Sequence, residues 1–364
     1  MNMRVPVYTP SLRGNEKRYV MECLDTTWIS SKGPFVTRFE DAFAQYIGAE
    51  YCTSVSNGTT ALHLGLVALG LGPGDEVIVP TLTYIASVNT IAQTGATPVF
   101  VDSLRSTWQL NPEDVIRKIT PRTRAVMAVH LYGHSCHMAA IADICHAHDL
   151  LLIEDCAEAV GTRFGDKHVG TFGDVATFSF FGNKTITTGE GGMVVSRSDK
   201  VHGLAKHLKS QGMSADRPYW HDMPGFNYRM TNICAAIGLA QLEQVDIFLA
   251  RKRELAMRYQ EQLSQLPLTF QSETVGTRHS FWMCSIVLDD AEQRDPLRRH
   301  LAALGIETRP VFYPAHIMPM YREEREYPVA EWISAHGISL PSWPEMPAAV
   351  TDEICESIRK FFRA

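Results

Sequence analysis

Lys184 stands in the segment SFFGNKTITTGEGGMVV, directly after an apolar run and among Gly182, Gly189, Gly191 and Gly192. Glycines let a backbone turn tightly and approach a bound molecule, so this lysine can offer a reactive amine to a ligand lying on its loop. A nucleotide-binding phosphate loop is excluded, because that pattern needs glycine immediately before the lysine and again five residues earlier. Asn183 and Phe178 occupy those positions. Taken alone, the window also fits an exposed lysine in a loop. Asp155 narrows the choice. It follows the apolar run Leu150–Ile153, at the expected carboxyl end of a strand, the edge at which open α/β sheets bind ligands. A carboxylate in that position is costly unless something pairs with it.

The protonated pyridine nitrogen of pyridoxal 5'-phosphate is such a partner, since an Asp opposite it lets the ring act as an electron sink. A phosphate needs a different receptor. Ser56-Asn57-Gly58-Thr59 joins an apolar run to a helical stretch, and helix starts present free N–H groups and a favourable dipole to anions. The same residues also make an ordinary helix cap. Ser179, just before the lysine loop, adds a hydroxyl on the same side. Tyr84, after EVIVPTLT, reads either as a core aromatic or as a face on which a flat ring stacks.

These groups need a sheet to carry them. Short runs that are apolar on both faces predict strands at Cys52–Ser56, Glu76–Pro80, Thr97–Val101, Ala125–His130, Leu150–Ile153, Val175–Ser179 and Met193–Ser196. Helical spacing predicts Thr59–Leu69, Ile85–Gln93 and Met138–His148 between them. Such alternation implies an α/β fold with a mostly parallel seven-stranded sheet sandwiched by helices. From Ile233 to Leu263 the pattern reads as one long helix. Beyond it, a strand at Phe281–Leu288, a helix at Pro296–Leu304, a strand at Ile306–Arg309 and a helix at Asp352–Phe362 suffice for a small α+β unit. The expected division is 1–245 for the large domain and 246–364 for the small one.

Composition argues against other classes. With 34 Lys and Arg against 40 Asp and Glu the net charge is −6, and no basic run suggests nucleic acid. No stretch of about 18 apolar residues suggests a membrane span, and eight scattered cysteines without a C-x-x-C pair fit a reducing cytoplasm. His130, His134, Cys136, His137, Cys145, His146 and His148 raise the question of zinc. Their spacing matches no ligand pattern, and no metal is expected.

In this order, TWISSKGPFVTRFE (27–40), SVSNGTTALHLGL (54–66), GDEVIVPTLTYIASVNT (74–90), HLYGH (130–134), IEDCAEAVG (153–161), GTFGDVATFSFFGNKTITTGEGGMV (170–194) and NYRMTNICAAIGLAQLEQ (227–244) resemble the DegT/DnrJ/EryC1/StrS sugar aminotransferases, which are fold-type I pyridoxal-phosphate enzymes. The resemblance runs nearly end to end. It implies that Lys184 bonds the cofactor and shuttles protons, and that Asp155 partners the pyridine nitrogen. Gly58, Thr59 and Ser179 would bind the phosphate and Tyr84 would stack on the ring. Glu158 would lie near the ring hydroxyl, where relatives more often carry Gln or His. Asn227 would reach the phosphate held by a neighbouring subunit, implying a homodimer with shared sites. The stretch RPVFYPAH (309–316) matches one bordering a sugar-nucleotide pocket, which puts forward Arg309, Tyr313 and His316 as substrate contacts. The implied reaction moves an amino group from L-glutamate, through pyridoxamine phosphate, to C4 of GDP-4-keto-6-deoxy-D-mannose for O-antigen or related polysaccharide synthesis. A dTDP- or UDP-linked keto sugar is the alternative acceptor, and a non-catalytic cofactor-binding protein the alternative class. Relatives that dehydrate the sugar carry His in place of the lysine, so Lys184 argues against that reaction.

Overall fold

A computed structural model describes residues 3–363 of the chain. Seven strands form the large sheet, in the order Tyr51–Val55, Gly192–Ser196, Val175–Ser179, Leu151–Asp155, Thr123–Val129, Glu76–Pro80, Thr97–Val101. Only Gly192–Ser196 runs against its neighbours; the other six strands share one direction. Their side chains are buried on both faces, Val77, Ile78, Val126 and Met127 completely, as a helix-covered parallel sheet requires. The helices Gly58–Ala68, Ala86–Gln93 and Met138–Ala147 connect strands as expected. Two N-terminal helices, Glu16–Asp25 and Pro34–Ile47, complete one side, the second through a stripe of Phe35, Phe39, Phe43 and Ile47. Six strands therefore end at the same edge, and loops from that edge carry the candidate residues.

The long C-terminal helix is corrected. It is two helices, Asn232–Leu242 and Val245–Leu263, bent by 59°. The bend has a packing reason. Leu239, Leu242, Phe248 and Leu249 cover the core of the large sheet, whereas Leu255, Ala256, Tyr259 and Leu263 belong to a second core. One straight cylinder cannot face both. The second core lies on a four-stranded sheet ordered Leu268–Phe270, Cys284–Leu288, Gly337–Leu340, Arg309–Pro310. The expected strand at 306–309 is split accordingly: Arg309–Pro310 joins this sheet, while Ile306 bridges to Val5 of the N-terminal arm. Among the described residues no single helix is long and apolar enough to cross a membrane.

Candidate active site

The helix Gly58–Ala68 begins where the strand Tyr51–Val55 ends. Asn57 caps it: its side chain accepts the Thr60 amide at 2.8 Å, and the Thr60 hydroxyl accepts the Asn57 amide at 3.1 Å. The amides of Gly58 and Thr59, at the first turn, have no partner within the helix. Gly58 is required by proximity, because a Cβ there would stand 2.7 Å from Cβ of Ser179. Gly58→Ala should therefore push the two segments apart and lower the unfolding free energy by roughly 1–3 kcal/mol, measurable by denaturant titration.

Three strands along the sheet, Asp155 closes the strand Leu151–Asp155. Strand alternation turns its neighbour Glu154 to the opposite face, and the two carboxylates part company. Glu154 is completely buried and accepts the amides of Gly170, Phe172 and Gly173 at 2.7–2.8 Å, together with His130 Nε2 at 3.1 Å. It holds a loop in place. Asp155 Oδ2 accepts the Ser87 hydroxyl at 2.7 Å and Oδ1 accepts the Ala157 amide at 3.0 Å. These bonds fix the rotamer of the carboxylate and leave it with no basic side chain as a hydrogen-bond partner.

Lys184 sits in the turn after Val175–Ser179, its amide donating to the Phe181 carbonyl at 2.9 Å. Two distant residues clamp this turn. The Tyr8 hydroxyl donates to the Lys184 carbonyl at 2.7 Å, and the Trp282 indole N–H donates to the Asn183 carbonyl at 2.7 Å. The lysine amine stands 3.7 Å from Glu158 Oε1, beyond hydrogen-bond reach, and 4.0 Å above the Trp282 ring. Glu158 Oε2 accepts the Tyr132 amide at 2.7 Å. Tyr132 has φ +59°, a left-handed conformation that is uncommon for a bulky residue. Burial pushes the Glu158 carboxyl up to about 7, with Lys184 opposing it, and burial likewise draws the Lys184 ammonium below its ordinary range.

A carboxyl raised in this way stabilises the fold fully below its unfolded value, about 4.5. That contribution is lost as pH rises through about 7. Glu158→Gln should accordingly flatten the thermal stability of the cofactor-free protein between about pH 5 and 8, a change that a series of melting curves would show.

One cavity of about 400 Å³ gathers these groups. Gly58, Thr59, Tyr84, Asp155, Glu158, Ser179, Lys184 and Arg309 all line it, so eight of the residues singled out in the sequence converge. Leu62, Val129, Phe181, Asn183 and Trp282 also line it without having been anticipated, and Phe312 lines it from within the 309–316 stretch. Tyr84 is half exposed, its ring tilted against Phe312 at 5.6 Å. His316 is withdrawn from the substrate contacts. It is 2% exposed, with Nδ1 2.7 Å from the Thr81 hydroxyl and Nε2 3.1 Å from Glu331, so both ring nitrogens are committed to packing. Tyr313 and Asn227 are exposed side chains outside the cavity wall. Asn227 accepts from the Arg229 guanidinium at 3.1 Å.

Comparison with known proteins agrees with this geometry. The model of the DegT/DnrJ/EryC1/StrS aminotransferase family matches residues 10–359. The chain belongs to this family. It is 56% identical over 98% of both chains to the GDP-perosamine synthase of Escherichia coli O157:H7. Its identity to the GDP-perosamine synthase of Vibrio cholerae is 52%, over 98% of this chain and 99% of that one. Among solved structures, the aminotransferase TlmJ from Streptoalloteichus hindustanus superposes with a TM-score of 0.95 at 31% identity, covering 99% of each chain.

Enzymes of this family use pyridoxal 5'-phosphate, and the cavity suits it. It offers a buried amine with no hydrogen bond of its own, a carboxylate with fixed orientation, and a helix start whose first glycine lets the Ser179 strand close in. Of the residues that line it, Gly58, Thr59 and Ser179 would hold the phosphate, Asp155 would face the ring nitrogen and Lys184 would bond the aldehyde carbon. The cofactor supplies an electron sink and a reversible seat for nitrogen. The chain supplies the rest. Asp155 would hold a proton at the ring nitrogen, and the bonds from Ser87 and the Ala157 amide keep its oxygens aimed. With the cofactor bound, Lys184 would hold its aldehyde carbon and, as a free amine, would take up the proton that leaves the donor's α-carbon. Glu158 and the Trp282 face lie close enough to the amine to favour its protonated form between those transfers.

Proposed function

We propose that this aminotransferase moves the amino group of L-glutamate to C4 of GDP-4-keto-6-deoxy-D-mannose, giving GDP-perosamine for a surface polysaccharide such as O-antigen. The observation that carries the reading is full-length identity above one half to relatives named for that product, on a chain whose cavity holds the lysine, the carboxylate and the helix start together. Arg309, the one guanidinium on the cavity wall, is proposed to receive an anionic group of donor or acceptor. Asn227, exposed and outside its own subunit's cavity, is proposed to serve the phosphate of a second copy in a homodimer with shared sites. The expected compartment is the cytoplasm, where cofactor and nucleotide-linked sugar are both available.

Turnover of GDP-linked and dTDP-linked 4-keto-6-deoxy sugars with glutamate, followed by mass spectrometry of the aminated product, tests the proposal. A GDP preference with incorporation of a single nitrogen is expected. Preferential amination of the dTDP sugar would overturn the choice of substrate and leave the aminotransferase itself untouched.

A further inference from the structure

We infer that Trp282 is a positioning residue for Lys184: its ring is the surface on which the free amine rests, and its N–H ties down the lysine's turn from a segment about a hundred residues further along the chain. The inference takes Lys184 as the reacting amine, as the family reading does, and adds a residue that reading does not include. The two contacts are independent. The indole N–H reaches the Asn183 carbonyl at 2.7 Å, while the ring centroid lies 4.0 Å from Lys184 Nζ.

The ring is held so that it cannot turn aside. Tyr132 stacks on it at 6.0 Å and 11°, and Phe312 stacks on Tyr132 at 5.3 Å and 19°. The Phe312 amide donates to the Tyr132 hydroxyl at 3.0 Å. Two bulky residues in this assembly hold left-handed backbone, Tyr132 at φ +59° and Phe281, directly before Trp282, at +51°. Such conformations cost energy and persist where surroundings enforce them, often at functional sites. Here they serve one end: Tyr132 turns its amide to Glu158 and its ring to Trp282, so the carboxylate and the indole meet the amine from two sides. The charged groups facing the amine are Glu158 and Asp155, with Glu190 and Arg309 elsewhere on the cavity wall. An aromatic face attracts a cation, so Trp282 adds to the carboxylates in favouring the ammonium, against burial.

The test reads the lysine directly. In the cofactor-free protein, competitive acylation with acetic anhydride, quantified at Lys184 by mass spectrometry, gives the pH midpoint of its amine. Loss of the indole face in Trp282→Leu should lower that midpoint by ~0.5–1.5 pH units. Trp282→Phe keeps a ring but lacks the N–H. It should shift the midpoint less, and it should speed the release of bound pyridoxal phosphate, followed by absorbance, by ~3–10-fold. Should Trp282→Leu not fold, the more conservative Trp282→Phe, which keeps an aromatic ring, carries the test. An unchanged midpoint in Trp282→Leu, or an unchanged midpoint and unchanged release in Trp282→Phe, overturns the proposal. A wild-type protein that takes up no pyridoxal phosphate would instead contradict the cofactor assignment, while the acylation midpoints would still report on Trp282.

Discussion

Replacing Lys184 with alanine lowers glutamate-dependent amination by at least ~10⁴-fold, since the variant lacks both the covalent seat and the proton carrier, and positioned general acid–base groups alone contribute up to that factor. Among the described residues no other amine lines the cavity, so none of them can substitute. The visible absorbance of lysine-bound pyridoxal phosphate disappears with it, whereas the helix start at Gly58 and the Asp155 carboxylate remain to bind added pyridoxamine phosphate. Glu158 responds as well. With the neighbouring ammonium gone, burial acts on its carboxyl unopposed by that charge, and it keeps its proton to higher pH. Retained amination in Lys184→Ala would remove the mechanism altogether.

The second large effect belongs to Asp155. Asp155→Asn is nearly isosteric, and its amide oxygen can still accept from Ala157, so the fold should be preserved. What is lost is a negative charge facing the ring nitrogen in a site only 5% exposed. Breaking one partner of a buried charge pair costs about 3–5 kcal/mol, which corresponds to a fall in kcat of roughly 10²–10⁴-fold. Single-turnover absorbance changes with glutamate, slowed to the same degree, would locate the loss in proton transfer at the donor carbon. An Asp155→Asn enzyme with unaltered kcat would show that the carboxylate only fills space.

Much of this was legible because the chemistry sits at the ends of periodic elements. The strand before Asp155 is a plain apolar run, and Ser56-Asn57-Gly58-Thr59 combines cap residues with the one glycine that permits contact with Ser179. The stripe Phe35, Phe39, Phe43, Ile47 has clear helical spacing, yet it lay outside the alternating pattern that organised the reading. The bend between Leu242 and Val245 left no mark, because neither glycine nor proline stands there and the cause is two cores facing different ways. His316 looked like a contact because it ends a motif at the pocket's border. Only the folded chain shows its two nitrogens already engaged by Thr81 and Glu331. Trp282 was hidden inside an expected strand at 281–288, whereas the strand begins at Cys284 and Trp282, two residues before it, lines the cavity. No spacing rule signals a partner about a hundred residues away.

The clamps on the lysine turn have a consequence for biosynthesis. Tyr8 precedes Lys184 along the chain, and Trp282 and Phe312 follow it. A nascent chain halted before residue 282 therefore displays its nucleophile on a turn fastened from one side only, with an open wall where the aromatic stack will lie. Secure capture of the vitamin-derived coenzyme thus awaits emergence of the segment through Phe312 from the ribosome, and chains terminated before Trp282 should neither retain it nor sequester it from other enzymes.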